Sequence, residues 1–450
     1  MSRFPPAMVF DMKKSICQIL NITQDIFVLY WTNREDTMGG VLRLEAGRVL
    51  AGERLEPIEA AAILVEDGRI SAIGHAAAVP TPEGADILDL GNVTVMPGMI
   101  DAHMHTFGVD SMRLHTLGTE HEGYRVARVL SELRELLHAG FTSARCLGST
   151  IGPQVRRAID EGLAEGPRMK VAGAFISSTS GTWDTNATPL DMAQRSGELV
   201  DGPDGLRRAV RERVREGADF IKLGLSKGGV HSRYHAWGDD PLAQVTTYGL
   251  DEVKAAVGEA HRNGMKVSAH AIGEAAVTLA LDGGVDVIEH GYGISEEIRT
   301  RLVTERKIVV TTLSQIHFHR AAFETFHYPQ WERDVYERHW HFMKRDFKLG
   351  LRAGVRFALG TDLIGGPTHP LKEAAMEFQL AVELGMPARE ALRAGTVVAA
   401  CACGMVQAGS IEVGKEADLV ALRGNPIEDI GAVRQPMAVL KSGTLAHHSP

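Results

Sequence analysis

The chain has 450 residues, 44% hydrophobic and 23% charged, with a formal net charge of -9. This is the composition of an ordinary globular protein with room for a barrel-sized domain and a smaller one, and its acidic balance gives no electrostatic reason for a nucleic-acid partner. Four cysteines are too few for a disulfide framework and point to a reducing, cytoplasmic setting.

Residues 1–40 read as an N-terminal extension that fits poorly with the strand pattern beginning at Val41. Its apolar runs between Ile16 and Trp31 are broken by Asn21, Gln24 and Asp25. They fall short of the ~18 residues of a membrane span, and no small-residue cleavage site comes after them, so neither signal nor anchor is expected. From Val41 to Val95 short strands alternate with turns, and Glu66-Asp67-Gly68-Arg69 marks a hairpin.

From Val93 the pattern changes to short apolar runs alternating with longer helical ones. Eight strands are expected, at Val93–Ile100, Thr142–Cys146, Met169–Ala174, Phe220–Leu223, Lys266–Ala269, Val287–Glu289, Ile308–Thr312 and Arg356–Leu359. Amphipathic segments such as Arg125–His138, Pro203–Glu216, Leu250–Asn263 and Glu274–Asp282 lie between them. Gly140, Gly217, Gly264 and Gly354 act as helix stops. The expected fold is therefore α/β: a (β/α)₈ TIM-type barrel over residues 96–409. After Ala400 the strand-and-turn style returns at Ser410–Glu412, Ala417–Leu422 and Pro436–Lys441. Residues 41–95 and 410–450 are accordingly expected to pair as one small β-sandwich domain.

The chemistry starts at Met96-Pro97-Gly98-Met99-Ile100-Asp101-Ala102-His103-Met104-His105. Side chains two apart on a strand share a face, so His103 and His105 can offer two nitrogens to one divalent ion such as zinc. In a chain with 19 histidines an isolated pair of this kind carries little weight. The weight comes from residues further along the chain. Lys222 sits inside the fourth strand, where a buried ammonium is costly unless paired or modified. His270 ends the fifth strand, His290 follows the sixth, and Asp362 follows the eighth after Gly360-Thr361. All stand at C-terminal strand ends, where barrel enzymes place catalytic groups. Together the six side chains suffice for two metals with open positions.

The segments PGMIDAHMH, FIKLG, SAHAIG, IEHGYG and LGTD, followed by GSIEVGKEADLVAL and GNPIEDI, resemble the amidohydrolase superfamily across about residues 41–445. They are most similar to its imidazolonepropionase-like and prolidase-like branch, which includes ochratoxin-hydrolysing amidases. The resemblance implies that His103, His105 and Asp362 bind one divalent metal and that His270 and His290 bind a second. Lys222, carbamylated by carbon dioxide, would bridge the two, and zinc is the expected metal. It further implies a metal-activated hydroxide as nucleophile, with Asp362 as the catalytic proton carrier. The implied reaction is hydrolysis of an amide-type C–N bond in a carboxamide, urea or carbamate. Three alternatives remain: a dipeptidase or N-acyl amino acid carboxypeptidase of the prolidase-like type, a one-metal deaminase or cyclic-imidazolone hydrolase, and a non-catalytic binding protein on the same fold. Lys222 argues against the second and the complete ligand set against the third.

Two departures from the pattern bear on substrate. The loop after strand three has Trp183 near the place of a Gly-Gly-His, and the loop after strand two reads Arg145-Cys146-Leu147-Gly148 in place of Arg-Asp-Leu-Gly. Both make the pocket less polar and favour an apolar or aromatic substrate. Arg233, Tyr234 and His235, after strand four, are suited to hold a carboxylate or orient an amide. The aromatic run from Phe318 to Trp340 reads equally as a lid, as helix packing or as a subunit contact. The expected partners are a small-molecule substrate and further copies of the chain, with neither nucleic acid nor membrane.

Overall fold

The computed structural model describes residues 40–184, 189–195, 198–227 and 245–449. The extension up to residue 39 and the recognition candidates Arg233, Tyr234 and His235 lie outside the described residues. Strands β1 (Val41–Ala51), β2 (Glu56–Glu66) and β3 (Arg69–His75) form an antiparallel meander. The hairpin expected at Glu66–Arg69 joins the last two. Both β4 (Asp86–Asp89) and β5 (Thr94–Pro97) lie parallel to β1.

The run Val93–Ile100, expected as the first barrel strand, divides at Gly98. Its first half is β5, in the sheet of the chain ends, and its second begins β6 (Met99–Met104), the first of the parallel set. The physical reason is a close crossing. A Cβ at Gly98 would lie 2.1 Å from Thr142 Oγ1, so the chain passes between the two sheets where only hydrogen fits. On the far side β6 pairs with β7 (Phe141–Cys146), which pairs with β8 (Arg168–Val171). A second parallel sheet holds β9 (Ile221–Gly224), β10 (Val267–Ala271), β11 (Val287–His290), β12 (Ile308–Val310) and β13 (Arg356–Ala358) in that order. Single parallel bridges join the edges of the two sheets, Ile176 to Leu223 at one seam and Met104 to Leu363 at the other. Backbone bonds reinforce them, with Ile176 N–H donating to the Lys222 carbonyl at 3.1 Å and Ala102 N–H to that of Leu359 at 3.1 Å.

Helices follow the strands. Up to β13 they include α1 (Glu122–His138), α2 (Gly152–Asp160), α3 (Leu190–Arg195), α4 (Pro203–Glu216), α5 (Leu250–Arg262), α6 (Glu274–Gly283), α7 (Glu296–Thr304), α8 (Leu313–Ala322) and α9 (Gln330–Ala353), and three shorter ones, Met376–Glu383, Ala388–Arg393 and Ala399–Cys403, follow β13. Their apolar stripes face the strands, as Val129, Leu133, Leu136 and Leu137 of α1 show by their burial. Gly217 and Gly354 close α4 and α9 as left-handed caps. The aromatic run resolves largely into packing between α8 and α9: Phe323, Tyr328, Tyr336 and Trp340 are buried, and Trp331 is exposed. At the C-terminus β14 (Leu419–Leu422) pairs with β5, then β15 (Pro436–Lys441) and β16 (Thr444–His448) follow, so both chain ends share one eight-stranded sheet. Its own core contains Leu44, Val49, Ile63, Val95, Leu419 and Ala438. Among the described residues no helix is long and apolar enough to cross a membrane.

One contact ties this framework to the site. A Cβ at Gly360 would lie 2.6 Å from His103 N and 2.7 Å from His103 Cβ. Gly360→Ala therefore forces the segment after β13 away from β6. Overpacking of this kind costs about 1–3 kcal/mol, which thermal unfolding of the variant will show as a lowered Tm. An unchanged Tm would mean that the two strands do not abut at His103.

Candidate metal centre

The centre is built from strand ends that alternate side chains. Asp101, His103 and His105 occupy every second position of β6 and its exit, so they share a face. Asp362, just past β13, is brought against them by backbone bonds: Thr361 N–H and Asp362 N–H both donate to the His103 carbonyl, at 2.9 and 2.6 Å. Asp362 Oδ1 then lies 3.3 Å from His103 Nε2 and 3.2 Å from His105 Nε2. One ligand atom from each of the three residues lies within 4.8 Å of the others, and all three residues are buried. The other expected ligands are adjacent. The His290 ring centroid is 5.0 Å from that of His103 and 4.6 Å from that of His270. Lys222 is buried on β9 and feels the charges of both Glu289 and Asp362. His103, His105 and Asp362 thus form one buried cluster, with His290 and His270 beside it and Lys222 buried on β9.

The outward faces of the imidazoles show how the donors are set. His103 Nδ1 donates to Glu289 Oε2 at 2.7 Å, His105 Nδ1 donates to the Gly148 carbonyl at 3.0 Å, and His290 Nδ1 is 2.9 Å from Thr312 Oγ1. With Nδ1 occupied, the Nε2 lone pairs of His103 and His105 face inward, the tautomer a metal-binding histidine needs. The donor set is nitrogen and carboxylate oxygen, which suits zinc and similar divalent ions. These residues fit a metal.

Electrostatics follow from burial and pairing. Burial raises the Asp362 carboxyl, but His103 and His105 overcome it and hold it well below the usual range. Burial lowers His270 and His290 far below ordinary imidazole values, with Lys222 adding to the effect at His270 and His270 itself at His290. It lowers Lys222 to about 8, opposed by Glu289 and Asp362. Glu289 is wholly buried yet held at about 2, because Arg145 and His103 outweigh the burial. Its Oε1 accepts from Arg145 Nη2 at 2.5 Å and from the Ser268 hydroxyl. Asp101, pushed by burial to about 7, accepts from the His103 and Thr361 backbone and from Thr361 Oγ1.

Two backbone positions are unusual. His290 has φ 70 and Asp362 φ 57, left-handed values costing about 1–3 kcal/mol for residues other than glycine. At His290 the turn lets two consecutive residues, Glu289 and His290, both reach His103, which a regular strand would forbid.

One wall beside the centre is aromatic. Phe107 stacks on His105 with ring centroids 4.7 Å apart, and Trp183, itself at φ 70, meets Phe107 edge-on at 5.6 Å. Val109 and Ile364 complete the same cluster. Cys146 is wholly buried, its Sγ 3.2 Å from Thr106 Oγ1, beside His105. Sequence reasoning assigned no role to Asp101, Glu289, Thr312, Phe107 or Ile364. For Glu289 a signal was available: an acidic residue within an apolar strand, directly before a candidate ligand histidine.

A fold of parallel strand–helix units with a buried histidine–carboxylate cluster at the strand ends is an arrangement that can hold a divalent metal. The Amidohydrolase family profile matches residues 94–445, and the chain belongs to that family. It is 33% identical to ochratoxinase of Aspergillus niger over 417 residues, covering 88% of this chain and 83% of that protein. The crystal structure of A. niger ochratoxinase superposes with a TM-score of 0.81 at 30% identity, covering 91% of this chain and 96% of that one. A prolidase complexed with N-methylphosphonate-L-proline superposes with a TM-score of 0.82 at 32% identity, covering 91% and 100%. A Xaa-Pro dipeptidase with methionine in its active site gives 0.78 at 28% identity, with the same coverage.

Glu289→Gln keeps the shape but removes the charge that faces Arg145 and His103. Loss of such a partner typically lowers metal affinity by about 10–100-fold. Metal retained after dialysis against graded chelator measures it, and retention equal to wild type would sever Glu289 from the centre.

Proposed function

We propose that the chain hydrolyses an amide-type C–N bond in a carboxamide, urea or carbamate, with an apolar or aromatic group next to the scissile carbonyl. The observation that carries this reading is the placement of Phe107 and Trp183 directly against His105 in the His103–His105–Asp362 cluster. On this reading the two parallel sheets close as one (β/α)₈ barrel, and the strands of both chain ends form a small sandwich domain beside it.

His103, His105 and Asp362 would hold one divalent ion, most simply zinc, and His270 and His290 a second, with carbamylated Lys222 between them. When bound, such a pair lowers the pKa of water and polarises a carbonyl. The chain's own residues do the rest. Asp362, anchored through its backbone to His103, takes a proton on its carboxylate and delivers it to the departing nitrogen. Glu289 and Gly148 fix the rings of His103 and His105. Phe107 and Trp183 exclude water from one side and offer ring faces to an apolar substituent. Arg233, Tyr234 and His235 would contact the polar end of the substrate. The likeness to prolidases favours a second reading, a dipeptidase or N-acyl amino acid carboxypeptidase, in which that end is a carboxylate.

The deciding experiment assays metal-loaded protein against N-acyl amino acids with aryl acyl groups, aryl ureas and carbamates, beside small polar dipeptides. Turnover of the aryl compounds is expected, and Trp183→Ala raises their KM about tenfold or more, since ring stacking is lost. Efficient turnover of polar dipeptides with aryl compounds untouched would overturn the apolar preference. Arg233→Ala raises KM for acidic substrates and spares neutral ureas if the polar end is a carboxylate. Lys222→Ala is expected to halve the metal bound per chain and to abolish most activity. Elemental analysis and rate measurements check it, and full activity in that variant would remove Lys222 from the mechanism.

A further inference from the structure

The segment that leaves β13 carries Asp362 at one end and His369 at the other, with Ile364 of the aromatic wall between them. It is tied into a tight loop by reciprocal backbone bonds between Gly365 and His369, at 3.0 and 3.2 Å. Its middle is gripped from outside. Gly366 N–H donates to Glu132 Oε1 at 3.3 Å, and the Gly366 carbonyl accepts from Arg128 Nη2 at 2.8 Å and from Ser111 N–H at 3.1 Å. Arg128 and Glu132 stand one turn apart on α1, themselves paired at 3.2 Å. Ser111 Oγ accepts from Thr368 N–H at 2.9 Å and from Thr368 Oγ1 at 2.6 Å. One residue, Gly366, thus has both its backbone groups held by a cation–carboxylate pair.

The fit is close. A Cβ on Gly365, at φ 110, would lie 2.7 Å from Glu132 Oε2. Burial raises the Glu132 carboxyl to about 7 even with Arg128 beside it, so keeping an acid here is costly. An apolar residue would fill the position more cheaply, but could not accept the Gly366 N–H. The loop held this way places Ile364 in the cluster with Phe107 and Trp183, and its Leu363 carbonyl accepts from His105 N–H at 2.9 Å.

We propose that Glu132, with Arg128, is a positioning residue that sets the aromatic wall by clamping Gly366, so that substrate fit in the site depends on a carboxylate on α1 that touches no substrate. The proposal rests on the reading of the wall as the substrate's apolar subsite. Its test has one arm free of that reading. Amide hydrogen exchange across residues 363–369 in the metal-free protein is expected to speed up by about tenfold or more in Glu132→Ala, and to stay near wild type in Glu132→Gln, which keeps the acceptor. In the kinetic arm Glu132→Ala is expected to raise KM for an aryl amide by about tenfold with kcat within about threefold, and Glu132→Gln to restore KM. If Glu132→Ala does not fold, Arg128→Ala supplies the lesion, since it removes the donor to the Gly366 carbonyl without altering the loop's own residues. Unchanged exchange in the lesion variant, or equal loss with Ala and Gln, overturns the clamp. Loss through kcat together with bound metal places Glu132 with the metal centre and overturns the wall role. If the wild type turns over no compound of the panel, the functional reading fails, and the exchange arm still decides the clamp.

Discussion

The arrangement of this site depends on one buried ion pair, Arg145 with Glu289, and on the histidine that leans against it. Arg145 and Glu289 are both wholly or nearly wholly buried, and taking two charges out of water costs several kcal/mol for each ion. The cost is met only by full pairing. Glu289 divides its two oxygens between Arg145 and Ser268 on one side and His103 on the other, while Arg145 Nε donates to the Ala102 carbonyl at 2.7 Å. Removing either partner leaves an uncompensated charge, which typically costs about 3–5 kcal/mol. These contacts link β6, β7, β10 and β11 across the two parallel sheets. Strand register and centre geometry are therefore one constraint: a slip of one residue in any of the four would turn its polar side chain away and leave the others unpaired.

The same pair explains why the strands end in strained backbone. The centre needs Glu289 outward of His103 and His290 beside it, from consecutive positions on one strand. Extended backbone sends neighbours to opposite faces, and the left-handed turn at His290 brings both to the same place. Strain at a residue held this way is sustained by surroundings that over-determine it: here the Thr312 hydroxyl fixes the His290 ring and the paired Glu289 fixes its neighbour. Asp362 repeats the device at the seam between β13 and β6, with Thr361 and Asp101 as the fixing groups.

Two sets of rings lie around this rigid base and differ in character. On the side of β6 and β8 the surface is made of rings and branched chains, Phe107, Trp183, Val109 and Ile364. Between α8 and α9 the rings form a hydrogen-bonded set of packing residues: His319 bridges the Tyr328 and Tyr336 hydroxyls at 2.8 and 3.0 Å and packs edge-on to His369. Buried polar sets of this kind rigidify when satisfied.

The local pattern of the sequence was enough to point to the candidate metal-binding residues and to the strand–helix order. A histidine pair spaced by two, a lysine in an apolar strand, and strand-end His270, His290 and Asp362 are signals of period and composition, and local backbone geometry alone dictates which face they share. Pro97-Gly98 punctuates the run Val93–Ile100, but its division between two sheets was not legible, because only the approach of Thr142 from another strand makes the glycine a crossing. Glu289 could be seen but not interpreted, since its worth lies in Arg145, 144 positions away in sequence. The aromatic residues of α8 and α9 read equally as lid or packing, and burial alone distinguished them. Residue types and spacing thus determined which groups are available for chemistry. Which of them are charged, paired or turned inward was decided by the folded chain, because desolvation and pairing are properties of neighbours brought together across strands and not of the order in which they are written.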